Sequence, residues 1–408
     1  MPLTRRQVFR RRRILVASGA LFALGTGFYL PIALLAPLPE VSAQELVYEA
    51  PVPAVPTIDF PTYGASGIGA LGYDGVLASS GVSTPLPLAS ISKIITALVV
   101  LERKPLALTE SGPTITFTVA DEQFYDEQLA NDGTVEVATA GQQLSVRNVL
   151  DVMLMESANN YAQTLAVWAF GSEDAYIAAA QDFLARHALR ETSIADPTGI
   201  NPANTSTVTD LIELAKLALA HPVIAQIVGS QSLTIPGIGE VENRNGLLGV
   251  DGVNGIKTGT LEEAGSCLLF SASHQVGEET ITLVGVVLGG PDHDTINRAI
   301  RLLLAQATAG FVQTEIVASG EAFASYSTVW GDEATAVASE SASLVVWSAL
   351  PVSVDVETTI VHLAQVGDRV GTLVFTVGER VISVPLELDR TLADPGAWWR
   401  LTNPQKLF

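Results

Sequence analysis

The feature that most limits how this chain can fold is an uncharged, mostly apolar stretch near its N-terminus, at residues 14–36. The stretch follows a cluster of arginines: Arg5, Arg6, Arg10, Arg11, Arg12 and Arg13. As a helix rising about 1.5 Å per residue, it is just long enough to cross a hydrocarbon core of about 30 Å. Because arginines precede it and none follows closely, the positive-inside rule predicts a cytoplasmic N-terminus and an exported remainder.

Two interpretations of residues 1–43 stay open. One is a retained signal-anchor helix, and the other is a signal peptide cleaved after the small residues Val41 and Ala43. The long apolar run favours the anchor, and the arginines disfavour a buried core helix. In either case we expect an extracytoplasmic protein, held in the cell membrane by the N-terminal helix or secreted if the signal is removed.

The composition describes a folded, acidic body. Apolar residues make up 48% of the chain and charged residues 16%, so a large core can form. The net charge is -21 despite the arginine cluster. Such a body repels phosphates, so we expect no nucleic-acid partner. Cys267 is the single cysteine, which excludes an intramolecular disulfide.

Composition shifts divide the exported part into three. Residues 44–62 are predicted to form an extended, proline-rich linker containing Pro51, Pro53, Pro56 and Pro61. Residues 63–311 show strands, then helices, then strands and a helix, which predicts a mixed α/β domain with helices packed on a largely antiparallel sheet. Residues 312–408 lose the helical pattern and are predicted to form a small all-β domain.

The apolar patterns predict individual elements as well. Helices are predicted at residues 90–102, 146–170, 173–187, 209–220 and 294–308. Strands of the first domain are predicted at residues 67–71, 76–78, 266–272 and 280–288. Strands of the second domain are predicted at residues 342–347, 352–356, 371–377 and 381–386.

The histidines do not indicate a familiar hydrolase. Amide hydrolysis by a serine needs a base, an oxyanion hole and a means of holding the substrate. The chain has five histidines, but no G-x-S-x-G motif occurs. A Ser-His-Asp hydrolase therefore has little support. The H-E-x-x-H metal motif is also missing, and we expect neither a metal site nor a cofactor.

A serine and a lysine offer another route. Ser90 stands at the start of a predicted helix, and Lys93 follows at i+3 on the same face. Burial and a neighbouring positive charge can depress the pKa of a lysine until it serves as a base. An S-x-x-K also occurs by chance in ordinary helices, so this pair alone does not decide the function.

A second motif lies in the segment 255–260, just before a predicted strand. Lys257 and Thr258 offer an ammonium and a hydroxyl to a substrate carboxylate. Gly259 permits close approach of the backbone, and the N–H of Thr260 can face an oxyanion. Taken alone, this lysine could equally belong to an ordinary turn.

A third motif interrupts an apolar helical stretch with polar residues. Ser157 and Asn159 form a Ser-x-Asn cluster that fits the wall of a cleft. The same residue types also suit a helix N-cap, so the cluster by itself has a structural explanation.

Taken together, S-x-x-K, S-x-N and K-T-G in this order resemble the signature of penicillin-binding proteins and serine β-lactamases. Five segments are similar to the low-molecular-mass D-alanyl-D-alanine carboxypeptidases: residues 89–93, 196–200, 243–248, 253–260 and 262–265. The resemblance covers about residues 63–308. The β-rich region that follows resembles the accessory domain of those enzymes.

The resemblance implies a role for each matched residue. Ser90 would be the acylated nucleophile, Lys93 its base, and Ser157 a proton relay to the leaving amine. Substrate binding would fall to Asn159, Arg244, Lys257, Thr258, Gly259 and Thr260. The backbone N–H groups of Ser90 and Thr260 would form the oxyanion hole. The implied partners are peptidoglycan stem peptides as substrate and β-lactams as covalent inhibitors.

The resemblance is incomplete at two places. Asn160 stands where many members have aspartate after the Ser-x-Asn motif. The stretch 291–294 lacks an arginine that some members use to bind the carboxylate, and Arg298 comes later. The rival functions are a β-lactamase, a transpeptidase or D,D-endopeptidase, and a non-catalytic penicillin-binding sensor. A class A β-lactamase is disfavoured because no E-x-x-L-N occurs between Ser157 and Lys257.

Overall fold

The structure is a computed structural model that describes residues 5–48, 56–348 and 351–407. It begins with helix α1 (Arg5–Leu35), whose side chains are almost all exposed. Within the described residues, α1 is the one unbroken helix that is long and apolar enough to cross a membrane. A short strand, β1 (Ala43–Glu45), follows it. Pro51 and Pro53 of the predicted linker lie outside the described residues.

The mixed α/β domain comes next. Its strands are β2 (Ala65–Ala70), β3 (Ala78–Gly81), β4 (Leu86–Pro87), β5 (Thr114–Thr116), β6 (Gln143–Ser145), β7 (Thr205–Ser206), β8 (Ser232–Ile235), β9 (Gly239–Glu242), β10 (Val253–Leu261), β11 (Gly265–Val276) and β12 (Glu279–Gly290). Its helices are α2 (Ser92–Arg103), α3 (Val119–Ala130), α4 (Val146–Met155), α5 (Asn159–Phe170), α6 (Glu173–Arg186), α7 (Val208–Ala220), α8 (Pro222–Val228) and α9 (His293–Ala309).

The main sheet of this domain has the order β10-β11-β12-β2-β3, with antiparallel pairing throughout. Both of its faces are buried. On β11, Cys267 and Leu269 join the core formed with helices α2, α4, α5 and α7, whereas Leu268 and Phe270 join the core on the side of α9. Two buried faces explain the unbroken apolar runs of its strands. The predicted mixed α/β fold with an antiparallel sheet flanked by helices is confirmed.

The single helix predicted at residues 146–170 is wrong, because the chain forms α4 and α5 with a break between them. Ser157 lies in the break with a φ of +64°, in the left-handed region that a residue with a Cβ rarely adopts. Both helices are apolar enough to have hidden the break from the sequence pattern. Ser157 is nevertheless only 4% exposed, so the break lies inside the domain.

The β-rich domain contains β13 (Phe311–Val317), β14 (Ala322–Ser327), β15 (Glu333–Ala338), β16 (Ala342–Trp347), β17 (Ser353–Thr358), β18 (Arg369–Val377), β19 (Arg380–Leu388) and helix α10 (Gly396–Thr402). Its main sheet has the order β1-β14-β15-β19-β18-β17. Two expectations need correction here. Residues 312–408 are not all β, because α10 is helical. Residues 44 and 45, at the start of the predicted linker, form an edge strand together with Ala43, because β14 offers them its free backbone groups.

The two domains share one core across their boundary. Tyr73 of the α/β domain packs edge-on against Phe311, and its hydroxyl donates to the Val345 carbonyl at 2.7 Å. Arg380 donates to the same carbonyl at 2.7 Å and pairs with Glu279. Apolar packing and an ion pair therefore fix the β-rich domain against the sheet.

Candidate active site

Ser90 lies on a short 3₁₀ turn, Ala89–Ile91, that leads directly into α2. The prediction that Ser90 itself opens the helix is close, since the α-helix begins two residues later. Ala89 has a φ of +47°, a left-handed value that costs a non-glycine residue free energy. Such backbone strain is concentrated at functional sites in proteins. The rigid, buried helix behind the turn keeps the Ser90 hydroxyl in place.

Lys93 is completely buried, and its amine is surrounded by three oxygen atoms. The Nζ atom lies 3.0 Å from Ser90 Oγ, 2.7 Å from Asn159 Oδ1 and 2.6 Å from the Thr198 carbonyl. A neutral amine has two N–H groups and one lone pair. It can donate to Asn159 and Thr198 while accepting the Ser90 O–H. The three contacts therefore suit a lysine that acts as a base.

The electrostatic environment favours that neutral form. Burial lowers the pKa of Lys93 well below its usual value, and the positive charge of Lys257 lowers it further. Asp196 acts in the opposite direction but does not reverse the shift. Burial also lowers the pKa of Lys257 to about 7, with a further contribution from Arg244.

Asn159 connects the lysine to a buried chain of amides. Its side-chain N–H donates to Gln128 at 2.8 Å, Gln128 donates to Gln163 at 3.0 Å, and Gln163 donates to Glu173 at 2.8 Å. The chain fixes the orientation of the Asn159 amide, so that its oxygen faces Lys93. Sequence reasoning missed Gln128, because α3 carries no motif.

The loop that supplies the Thr198 carbonyl is built around one carboxylate. Asp196 accepts hydrogen bonds from the backbone N–H groups of Thr198, Gly199 and Asn201, at 2.5 to 2.7 Å. It also accepts the Thr198 hydroxyl at 2.8 Å. Four bonds to one side chain hold the loop rigid, and with it the carbonyl that positions Lys93.

The second wall of the site is the edge strand β10. Lys257 is 2% exposed and Thr258 is 9% exposed. Gly259 passes so close to the turn that a Cβ there would lie 3.2 Å from the Ser90 nitrogen and 3.0 Å from the Leu88 oxygen. A side chain at this position would crowd the nucleophile, which explains the glycine.

These elements border a single cleft of about 390 Å³. It is lined by Ser90, Thr134, Ser157, Arg244, Thr258, Gly259, Thr260 and His293. Lys93, Asn159 and Lys257 lie buried beside this lining. The structure therefore brings together all nine residues to which the family resemblance assigned a catalytic or substrate-binding role.

Arg244 and His293 lie at the outer part of the cleft. The Arg244 side chain is half exposed and pairs with Glu156 at 3.5 Å. His293 Nε2 is 2.7 Å from the Thr260 hydroxyl. Sequence reasoning dismissed His293 with the other histidines, because the contact depends on how α9 packs beside β10.

Two residues that depart from the family pattern lie away from the cleft. Asn160 is fully buried, and its amide exchanges hydrogen bonds with the Glu136 backbone at 2.8 and 3.2 Å. It fixes a loop and does not line the cleft. Arg298 points along α9, where it donates to the Thr295 hydroxyl at 3.0 Å.

An antiparallel sheet flanked by helices, with a serine and a buried lysine at its edge, defines the class of penicillin-binding proteins and serine β-lactamases. The match to a family model narrows this class. The model described as D-alanyl-D-alanine carboxypeptidase matches residues 73–292, more than half of the chain. The chain belongs to the D-alanyl-D-alanine carboxypeptidase family.

Individual proteins agree with this assignment. The chain is 29% identical to a D-alanyl-D-alanine endopeptidase of Pseudomonas aeruginosa, over 48% of this chain and 62% of that protein. It is 28% identical to D-alanyl-D-alanine carboxypeptidase DacD of Salmonella typhimurium, over 64% of this chain and 66% of that protein. The matches thus span less than two thirds of either relative. Penicillin-binding protein 5 of Haemophilus influenzae has the same fold, with a TM-score of 0.59 at 19% identity, covering 84% of this chain and 100% of that one.

Proposed function

We propose that this chain is a serine-type D-alanyl-D-alanine carboxypeptidase. It would remove the terminal D-alanine from peptidoglycan stem peptides through an acyl-enzyme on Ser90. The observation that carries the proposal is the buried Lys93 amine, which lies 3.0 Å from the Ser90 hydroxyl. Ser90 in turn lines one cleft with Ser157 and Thr258. Family membership supports the same reaction.

The first step is proton transfer from serine to lysine. Neutral Lys93 takes the Ser90 proton as Oγ forms a bond to the carbonyl carbon between the two D-alanines. The side-chain oxygen of Asn159 and the Thr198 carbonyl accept hydrogen bonds from the resulting ammonium, so its charge is stabilised as it forms. The base is therefore positioned before the substrate arrives.

The developing oxyanion faces backbone donors. The close approach of Gly259 to the turn places β10 beside the Ser90 amide, and the N–H groups of Ser90 and Thr260 are the donors that we assign. Lys257 and Thr258 bind the terminal carboxylate of the substrate, which neutralises the substrate charge in a buried position. Asn159 and Arg244 would contact the rest of the peptide.

The leaving group is D-alanine. Ser157 lies in the wall of the cleft in a strained left-handed conformation, and we assign to it the proton relay to the leaving amine. Breaking of the C–N bond leaves the acyl group on Ser90 Oγ. Water then attacks the ester, which releases the shortened peptide and returns the proton to Ser90. The reaction needs no metal and no cofactor.

The position of the protein in the cell belongs to the same proposal. The arginine cluster and the exposed apolar helix α1 support an anchor that crosses the cell membrane with the catalytic domain outside. There the site would meet peptidoglycan as substrate and β-lactams as covalent inhibitors.

The test is covalent labelling by a fluorescent penicillin. We expect the wild-type chain to label and Ser90→Ala to lose labelling completely. Ser92→Ala is the matched control, because the Ser92 hydroxyl faces the Ala89 carbonyl at 3.0 Å and should leave labelling intact. If Ser90→Ala still labels, the nucleophile is wrongly assigned.

Reaction type requires a second measurement. D-alanine release from a pentapeptide analogue is compared with cleavage of a cross-linked peptide and with nitrocefin turnover. The proposal requires D-alanine release to be the fastest. One relative is named an endopeptidase. Cleavage of the cross-linked peptide that is faster than D-alanine release would therefore contradict the proposal.

A further inference from the structure

The segment that leaves α1 is built into the β-rich domain. β1 pairs with β14 through Ala43 and Tyr326. Just before it, the backbone of Val41 exchanges hydrogen bonds with Val361 at 2.7 and 3.1 Å, and the Val41 side chain is 5% exposed. The end of the helix is therefore joined rigidly to this domain.

The C-terminal residues pack against the same exit. Arg400 donates to the Ala36 carbonyl at 2.6 Å, and Leu407 is buried with Ala36 and Leu38. The Tyr29 hydroxyl of α1 donates to the Leu401 carbonyl of α10. Helix α10 thus lies alongside the last turns of α1.

The contact with Tyr29 fixes the depth of α10. Tyr29 precedes the end of α1 at Leu35 by less than two turns, which is about 9 Å at 1.5 Å per residue. If α1 spans the bilayer, α10 reaches the boundary between lipid headgroups and acyl chains. Tryptophan is enriched at that boundary, and Trp398 on α10 is 80% exposed.

Other exposed apolar side chains surround the same exit. Ile360, Leu363 and Val366 are 62%, 46% and 61% exposed. They lie in the loop whose Val361 pairs with Val41 and whose His362 bonds the Leu38 carbonyl at 2.9 Å. Exposed apolar residues gathered in one place indicate a surface that is covered in the working protein. We call Ile360, Leu363, Val366 and Trp398 the exit rim.

We infer that the exit rim lies in the outer lipid interface, so that the β-rich domain rests on the membrane beside α1. This inference depends on the proposed membrane span of α1. The lipid surface is the occupant because the rim is continuous with the helix that enters the bilayer. The whole chain carries a net charge of -21 even with its N-terminal arginines, so apolar insertion is the attraction and anionic lipid is not required.

The single cysteine makes a direct test possible. Cys267 is fully buried, and burial raises the pKa of its thiol to about 11, so it resists labelling. Ile360→Cys and Trp398→Cys would each be labelled with an environment-sensitive fluorophore. The full chain is then placed in phosphatidylcholine vesicles that contain a lipid with a nitroxide near its headgroup. We expect several-fold stronger quenching than at Val381→Cys, a control in the same domain with 60% exposure that lies next to Arg380 at the domain boundary.

A label at Ala23→Cys, within α1, tests the membrane span separately from the position of the exit rim. One outcome would overturn the inference and leave the membrane anchor in place. In that outcome, a nitroxide deep in the acyl chains quenches the label at position 23, but the headgroup nitroxide quenches the labels at positions 360 and 398 no more strongly than the label at position 381. Absence of quenching at 23 would overturn the membrane span and the inference together.

Discussion

Gly199 is a residue where one added methyl group should disable the nucleophile without touching the substrate. Its φ is +88°, a conformation that costs alanine about 1–2 kcal/mol. A Cβ there would also lie 2.5 Å from the Ala89 carbonyl carbon and 3.1 Å from the Ser90 nitrogen. Since carbon atoms in contact lie about 3.5–4.0 Å apart, Gly199→Ala must displace the turn by about 1 Å.

The displacement of the Ser90 turn should lower the rate of acylation. A misplacement of about 1 Å can lower a rate about 10²-fold, which corresponds to about 2.7 kcal/mol of barrier. The neighbouring Thr198 carbonyl, which holds Lys93, should move as well. We therefore expect Gly199→Ala to acylate about 10²-fold more slowly with fluorescent penicillin, measured as the second-order rate constant.

Gly237→Ala is the matched control for backbone strain. Gly237 has a φ of +85°, but a Cβ there would meet nothing within 4 Å. Both variants should lose about 1–2 kcal/mol of unfolding free energy from strain, with a further loss at Gly199 from the clash. Only Gly199→Ala should lose acylation rate. If folded Gly199→Ala is acylated at the wild-type rate, the clash with the Ser90 turn does not matter. An equal loss of acylation rate in Gly199→Ala and Gly237→Ala would also contradict the prediction.

Three further results are expected. Lys93→Ala should slow acylation about 10²–10⁴-fold, because the general base is lost; a penicillin-labelling rate within tenfold of wild type would contradict this role. Lys257 should lose its proton as the pH rises through about 7, so kcat/KM for a stem-peptide analogue should fall there. Lys257→Arg should remove that fall, because arginine keeps its charge. A wild-type pH profile of kcat/KM that stays flat to alkaline pH would contradict the assignment of Lys257 to the substrate carboxylate. Asp196→Ala leaves the N–H groups of Gly199 and Asn201 without their acceptor, and calorimetry should record a loss of about 1–3 kcal/mol in unfolding free energy. Asp196→Asn should lose less, and an unchanged melting temperature for Asp196→Ala would exclude the bracing role.

The sequence predicted the elements whose patterns are local. Helix α7 begins at Val208 with Thr207 as its cap, where the sequence placed its start to within one residue. Strand β16 has the predicted bounds. The three motifs were also readable, because each is a short run of adjacent residues. Their assembly around one cleft followed from the family resemblance, and the roles of the residues stay predictions.

What the sequence could not supply depends on distant contacts. Gln128 becomes important only because α3 packs against α5, and nothing in the local pattern of α3 singles it out. His293 faces the cleft only because α9 starts beside β10. Strand β1 has three residues and no alternation, so only its partner β14 makes it a strand.

The pairing of β1 with β14 also determines when the chain can finish folding. If the chain is exported as proposed, residue 43 emerges from the membrane early, but its partner Tyr326 is synthesised far later. Contacts between such distant positions form slowly, because a long loop must close first. In the proposed export, the backbone groups of β1 therefore stay unpaired until almost the entire chain has crossed, and this strand is the place where assistance from an export chaperone would matter most.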